Sequence, residues 1–116
     1  MRLMRLFSSG SDIDAGRAAE LLASGDAVPL DVRQGIEWNR GHIKGAFHIP
    51  LARVSRRTDE LPPGKTIITV YHSGHRSALA ARKLRRAGYR VENLRGGMKS
   101  WAKAGLPLER PGDEGT

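Results

Sequence analysis

Apolar positions along the chain come in short blocks with two different periods. The block Thr66-Ile67-Ile68-Thr69-Val70 is β-branched and almost continuously apolar. That pattern predicts a central parallel strand covered on both faces. Residues 27–32 read as a second buried strand, although Pro29 cannot donate to a ladder and weakens its early part. Residues 89–94 supply a third strand, and residues 45–50 a short extended piece. Helical spacing fills the gaps. Asp12 or Asp14 caps a helix whose buried stripe is Ala18, Leu21 and Leu22, and which stops at Ser24-Gly25. Residues 34–40 form a short helical turn ended by Gly41, residues 51–57 a helix after Pro50, and residues 61–65 a turn. Residues 77–87 form a helix with Ala80, Leu84 and Ala87 on one face, stopped by Gly88. Gly96-Gly97 opens a last helix through Trp101 and Ala104, closed by Gly105. Strands alternating with helices in a short chain imply a parallel α/β sheet. Residues 1–10 read as a flexible lead-in, 11–109 as the domain and 110–116 as a frayed tail.

Length and composition narrow the function classes. A chain of 116 residues suits one domain with one core. Few aromatics are present, so Leu, Ile, Val and Ala must fill that core. There is no cysteine, hence no disulfide, no thiolate metal site and no thiol nucleophile in these residues. No apolar run is long enough to span a bilayer, and the opening Met1-Arg2-Leu3-Met4-Arg5-Leu6-Phe7 lacks the features of a signal peptide. A cytoplasmic monomer without a membrane role is the expectation. The net charge of +8 favours anionic partners. Scattered arginines with little interleaved aromatic material argue against nucleic acid.

The chemistry concentrates in one loop, Tyr71-His72-Ser73-Gly74-His75-Arg76-Ser77, between the strongest strand and a basic helix. A buried strand running into a glycine-containing loop and then a helix is a common anion site. Loop amides and the helix N-terminus point at one spot, where the helix dipole adds positive charge. Arg76 near the helix start opposes that dipole, and a bound sulfate, phosphate or thiosulfate would offset the cost. An ordinary βα turn with exposed histidines is the competing reading of the same spacing.

Three ordered motifs identify a resemblance. The first is Leu30-Asp31-Val32-Arg33, then Glu37-Trp38, Gly41-His42-Ile43, Gly45-Ala46 and Ile49-Pro50. The second is Ser73-Gly74-His75-Arg76-Ser77-Ala78. The third is Leu94-Arg95-Gly96-Gly97-Met98 with Trp101 and Ala104-Gly105-Leu106-Pro107. Together they resemble a single-domain rhodanese-like protein over residues 13–109. The resemblance implies a five-stranded parallel sheet flanked by helices. It also implies sulfur transfer through a cysteine persulfide in a Cys-x-x-Gly-x-Arg loop.

The chain departs from that pattern at the nucleophile. Gly74 and Arg76 fix the register and put Tyr71 at the cysteine position; an alternative alignment deletes the cysteine after Tyr71. Neither supplies a thiolate. A phenol has an ordinary pKa of about 10 against about 8.5 for a thiol, and its oxygen does not carry sulfane sulfur reversibly. A tyrosine ring there is also expected to project into the bowl the substrate needs.

Elsewhere the structural reading leads. Asp31 and Arg33 end a strand at the loop's edge of the sheet, where they are either loop neighbours or a structural pair, with Arg33–Glu37 as the other pairing. Arg95 is a third candidate loop neighbour, or a surface arginine. His42 and His48 lack metal-ligand spacing, and no pattern points to a cofactor. His42 reads as a structural polar contact, and Trp38 and Trp101 as core or helix-packing residues. Arg82, Lys83, Arg85, Arg86 and Arg90 read as a solvated face, with docking of an acidic protein as the alternative. The leading functional expectation is a rhodanese-homology domain without catalysis, acting as a binding or regulatory module. A sulfurtransferase whose cysteine has been removed from this sequence, and a basic adaptor for an acidic partner or nucleic acid, are the alternatives.

Overall fold

The computed structural model describes residues 12–72 and 75–113, without the side chains of residues 75–77. Its elements in chain order are β1 (Asp12–Ile13), α1 (Ala15–Ser24), β2 (Ala27–Asp31), α2 (Gly35–Arg40), β3 (His42–Ile43) and β4 (Phe47–His48). Two 3-10 helices follow, Leu51–Arg56 and Thr58–Glu60. Then come β5 (Thr66–Val70), α3 (His75–Arg86), β6 (Val91–Leu94), α4 (Gly97–Lys103) and β7 (Leu108–Glu109).

The expected five-stranded parallel sheet is present, in the order β1-β6-β5-β2-β4. Strand β5 lies at its centre and pairs with β2 from Ala27↔Thr66 to Asp31↔Val70. Its side chains alternate between two cores. Ile67 joins a cluster with Leu30, Val54, Ala80 and Leu84 under the 3-10 helix and α3. Ile68 and Val70 join the other, with Ala18, Leu94, Met98 and Trp101 under α1 and α4. Both faces are covered, so the apolar run has no polar face.

Pro29 is tolerated inside β2 because of which way its nitrogen points. The Val32 amide donates to the Val70 carbonyl, while the Asp31 carbonyl accepts from the Ile49 amide. In a strand the direction alternates, so residues of odd number in β2 face β4. Pairing with β4 starts only at Leu30↔Phe47, and the missing N–H of Pro29 falls before it.

Several local expectations are refined. Asp14, not Asp12, caps α1, its carboxylate accepting from the Arg17 amide at 2.8 Å. The helix stops at Gly25, which adopts a left-handed φ of 83° that side chains resist. Asp12 instead lies in β1 opposite Asn93. There Asn93 Nδ2 donates to Asp12 at 2.9 Å, and Thr69 Oγ1 donates to Asn93 Oδ1 at 3.2 Å. On α1 the buried positions are Ala15 and Ala18, with Leu21 and Leu22 half-buried. Helix α3 starts at His75, and its inner face is Ala80, Ala81 and Leu84; Ala87 lies past the end and is exposed. Strands β3 and β7 form a small antiparallel ladder, His42↔Glu109 and Ile43↔Leu108. Among the described residues no helix is long and apolar enough to cross a membrane.

Candidate functional site

Parallel α/β sheets place ligands at the carboxyl edge of their strands. Here that edge is formed by Tyr71-His72 after β5, Val32-Arg33 after β2 and Ile49-Pro50 after β4. Tyr71 is the first residue beyond β5 and is half-buried. It continues the strand's alternation from Ile67 and packs against the cluster under α3 and the 3-10 helix. The ring thus packs against the core, while the remainder of the loop, residues 73–74 and the side chains of residues 75–77, lies outside the described residues. His72 follows and is exposed.

The start of the loop is clamped by α4. Met98 N donates to the Tyr71 carbonyl at 2.8 Å, and Lys99 N donates to the His72 carbonyl at 3.2 Å. These amides belong to the first turn of α4, where a helix has no internal acceptors for them. The approach is so close that a Cβ on Gly97 would overlap the Tyr71 oxygen and the His72 carbonyl group. Gly97 also has a φ of 59°. The Gly96-Gly97 pair is the sequence signal for this clamp, which reading the pair only as a helix start missed.

Ser73 and Gly74 lie outside the described residues, as do the side chains of His75, Arg76 and Ser77, whose backbone opens α3. Asp31 and Arg33 form a buried ion pair, Arg33 Nη2 to Asp31 Oδ2 at 2.8 Å and Nε to both carboxylate oxygens at 3.0 Å. The same Nη2 donates to the Gly41 carbonyl at 2.7 Å. The structural pairing is thus Asp31–Arg33; Glu37 instead completes a capping box with Gln34. Arg95 is exposed and donates to the Asp12 carbonyl at 3.3 Å.

Trp38, read as a core or helix-packing residue, belongs to neither core cluster. It is half-buried and stacks between two imidazoles, with centroid separations of 3.4 Å to His42 and 4.6 Å to His48. His42 is buried and its Nδ1 donates to the Trp38 carbonyl at 3.0 Å, as a structural polar contact should. Its Nε2 faces Glu109 at 3.8 Å across the β3–β7 ladder. Trp101 is buried in the second cluster, and its Nε1 donates to the Pro107 carbonyl at 2.8 Å.

A parallel sheet of this order, with a βα loop held between two helix starts, matches known proteins closely. The rhodanese-like domain model covers residues 14–104. The chain belongs to the rhodanese-like family. It is 35% identical over 103 residues to a sulfurtransferase of Allochromatium vinosum, spanning 87% of this chain and 96% of that protein. It is 42% identical over 73 residues to YrkF of Bacillus subtilis, spanning 62% of this chain but only 40% of YrkF. Among solved structures, a rhodanese-related protein from Thermoplasma volcanium superposes with a TM-score of 0.79 at 27% identity, covering 85% of this chain and 97% of the other. Relatives of this rhodanese-like domain thus include a sulfurtransferase, while the domain itself has no cysteine.

Proposed function

We propose that this rhodanese-like domain does not transfer sulfur and acts as a binding module that takes a small oxyanion in the loop after β5. One observation carries the reading. The start of the loop is clamped by the first amides of α4, while the residue at the strand end is Tyr71 and no thiol exists in the chain. Sulfane sulfur needs a thiolate acceptor, and neither a phenol nor an imidazole holds it in a persulfide. The order strand, glycine-containing loop, helix with Arg76 in its first turn is a sequence pattern suited to sulfate, phosphate or thiosulfate.

The sulfurtransferase activity carried in the name of the Allochromatium vinosum relative favours a second reading. In it, the domain takes part in sulfur transfer and another protein supplies the thiol. Thermal denaturation against sulfate at fixed ionic strength, with chloride as control, tests the first reading. A sulfate-specific rise in Tm that is lost in Arg76→Ala supports the loop site through mass action. Equal shifts in both salts, unchanged by Arg76→Ala, contradict it.

A further inference from the structure

A second concave feature lies on the same edge of the sheet, and Tyr71 does not line it. It is a cleft of about 590 Å³ between the segment after β2, the end of β4 and the 3-10 helix Leu51–Arg56. Its walls include Gln34, His48, Pro50, Ala52, Arg53 and Arg57. Among the described residues no acidic side chain lines it. Its size suits a metabolite, and its place at the carboxyl edge is where open α/β sheets take ligands.

The polar groups differ in their availability. Arg57 is committed to Glu60 through two bonds, of 2.7 and 2.8 Å. Arg53 is exposed and has no side-chain partner among the described residues. His48 is fixed in place. Its ring stacks on Trp38 within 6° of parallel, and its Nε2 lies 2.8 Å from the Arg33 carbonyl. A carbonyl only accepts, so Nε2 carries the proton and Nδ1 is left as the second polar atom of the ring. Arg33, whose carbonyl holds the imidazole, is itself bonded through its side chain to Asp31 and Gly41. Pro50 and Ala52 add an apolar wall.

We propose that this cleft binds a small organic oxyanion, a phosphate or carboxylate carried on a compact apolar group. Arg53 is the principal donor, with the Gln34 amide orienting the ligand and the His48 ring, Pro50 and Ala52 forming the wall against its apolar group. A guanidinium offers a planar fork that fits either oxyanion bidentately. None of the described residues lining the cleft belongs to the loop after β5, and the variants below separate the cleft from the function proposed for that loop.

Phenylphosphate, benzoate and inorganic phosphate serve as probes on the full chain. Trp38 reports on the cleft through its stack with His48, and calorimetry gives the same comparison without relying on the indole. Phenylphosphate or benzoate should bind saturably and more tightly than inorganic phosphate. Arg53→Ala should weaken binding about tenfold, the scale of one charge-assisted contact, with Arg53→Lys intermediate. Arg76→Ala should leave it unchanged. Absence of saturable binding at millimolar probe, or equal binding by Arg53→Ala and the parent, overturns the cleft. Binding lost in Arg76→Ala but kept in Arg53→Ala also overturns it, and assigns the anion to the loop after β5.

Discussion

Met98 holds Tyr71 by a backbone hydrogen bond of 2.8 Å, the first amides of α4 being spent on the end of the central strand. Only a residue without a side chain fits between them. A Cβ on Gly97 would overlap backbone atoms of Tyr71 and His72, which cannot rotate away. A Cβ on Gly96 would meet the Ser100 hydroxyl, which can rotate away, and crowd Ser100 Cβ at 2.9 Å without touching another strand.

Gly97→Ala should therefore be far worse than Gly96→Ala. Both introduce a side chain at positive φ, at about 1–2 kcal/mol each. Gly97→Ala adds a backbone displacement and should lose more than about 4 kcal/mol, in the range of severe mutations. Urea midpoints of the two variants check the order. Equal loss in both would mean that the α4 clamp is not rigid.

The Asp31–Arg33 pair is buried, with side-chain exposures of 1% and 7%. Asp31→Ala leaves the Arg33 cation buried without its carboxylate and should cost about 3–5 kcal/mol. Equilibrium denaturation measures it. A loss under about 1 kcal/mol, the scale of surface pairs, would contradict the burial.

A polar rung crosses three strands, from Thr69 through Asn93 to Asp12. Asn93 is 4% exposed. Asn93→Leu should cost about 1–3 kcal/mol by leaving the Thr69 hydroxyl without that partner. Faster amide exchange at β1 should accompany the loss, since Asp12 is its outer contact. Unchanged protection of the Ile13 amide would argue against the rung anchoring β1.

The legible parts of the fold were those encoded locally. The residues Thr66–Val70 announce a central strand because both neighbouring layers need apolar contacts from them. The ion pair of Asp31 and Arg33 was readable because its partners stand two residues apart. Strands β1, β3 and β7 were not readable, since two-residue strands exist only through partners far along the chain, such as Asp12 with Asn93 and His42 with Glu109. The stack on Trp38 was not readable for the same reason: β4 brings His48 onto its ring, and no spacing along one helix signals that. The inner face of α3 slipped from Ala87 to Ala81 because the helix ends at Arg86, before Ala87 can turn inward. At the site, residues 71–77 marked the loop, while the clamp depends on the approach of α4.

Tyr71→Cys offers a gain-of-function test of the strand-end register. If Tyr71 occupies the nucleophile position, the variant should take up sulfur from thiosulfate. The loss of ring packing should cost about 2–4 kcal/mol of stability, near the lower end for large-to-small core changes. A folded variant that gains no sulfur would favour the alignment in which the cysteine is deleted after Tyr71.

The absence of sulfur transfer is tested most directly by intact mass of the parent protein after incubation with thiosulfate, alongside thiocyanate release in the presence of cyanide. With no thiol in the chain, the mass should stay unchanged and thiocyanate should not rise above the buffer background. A stable gain of one sulfur atom, or turnover that scales with protein concentration, would contradict the account.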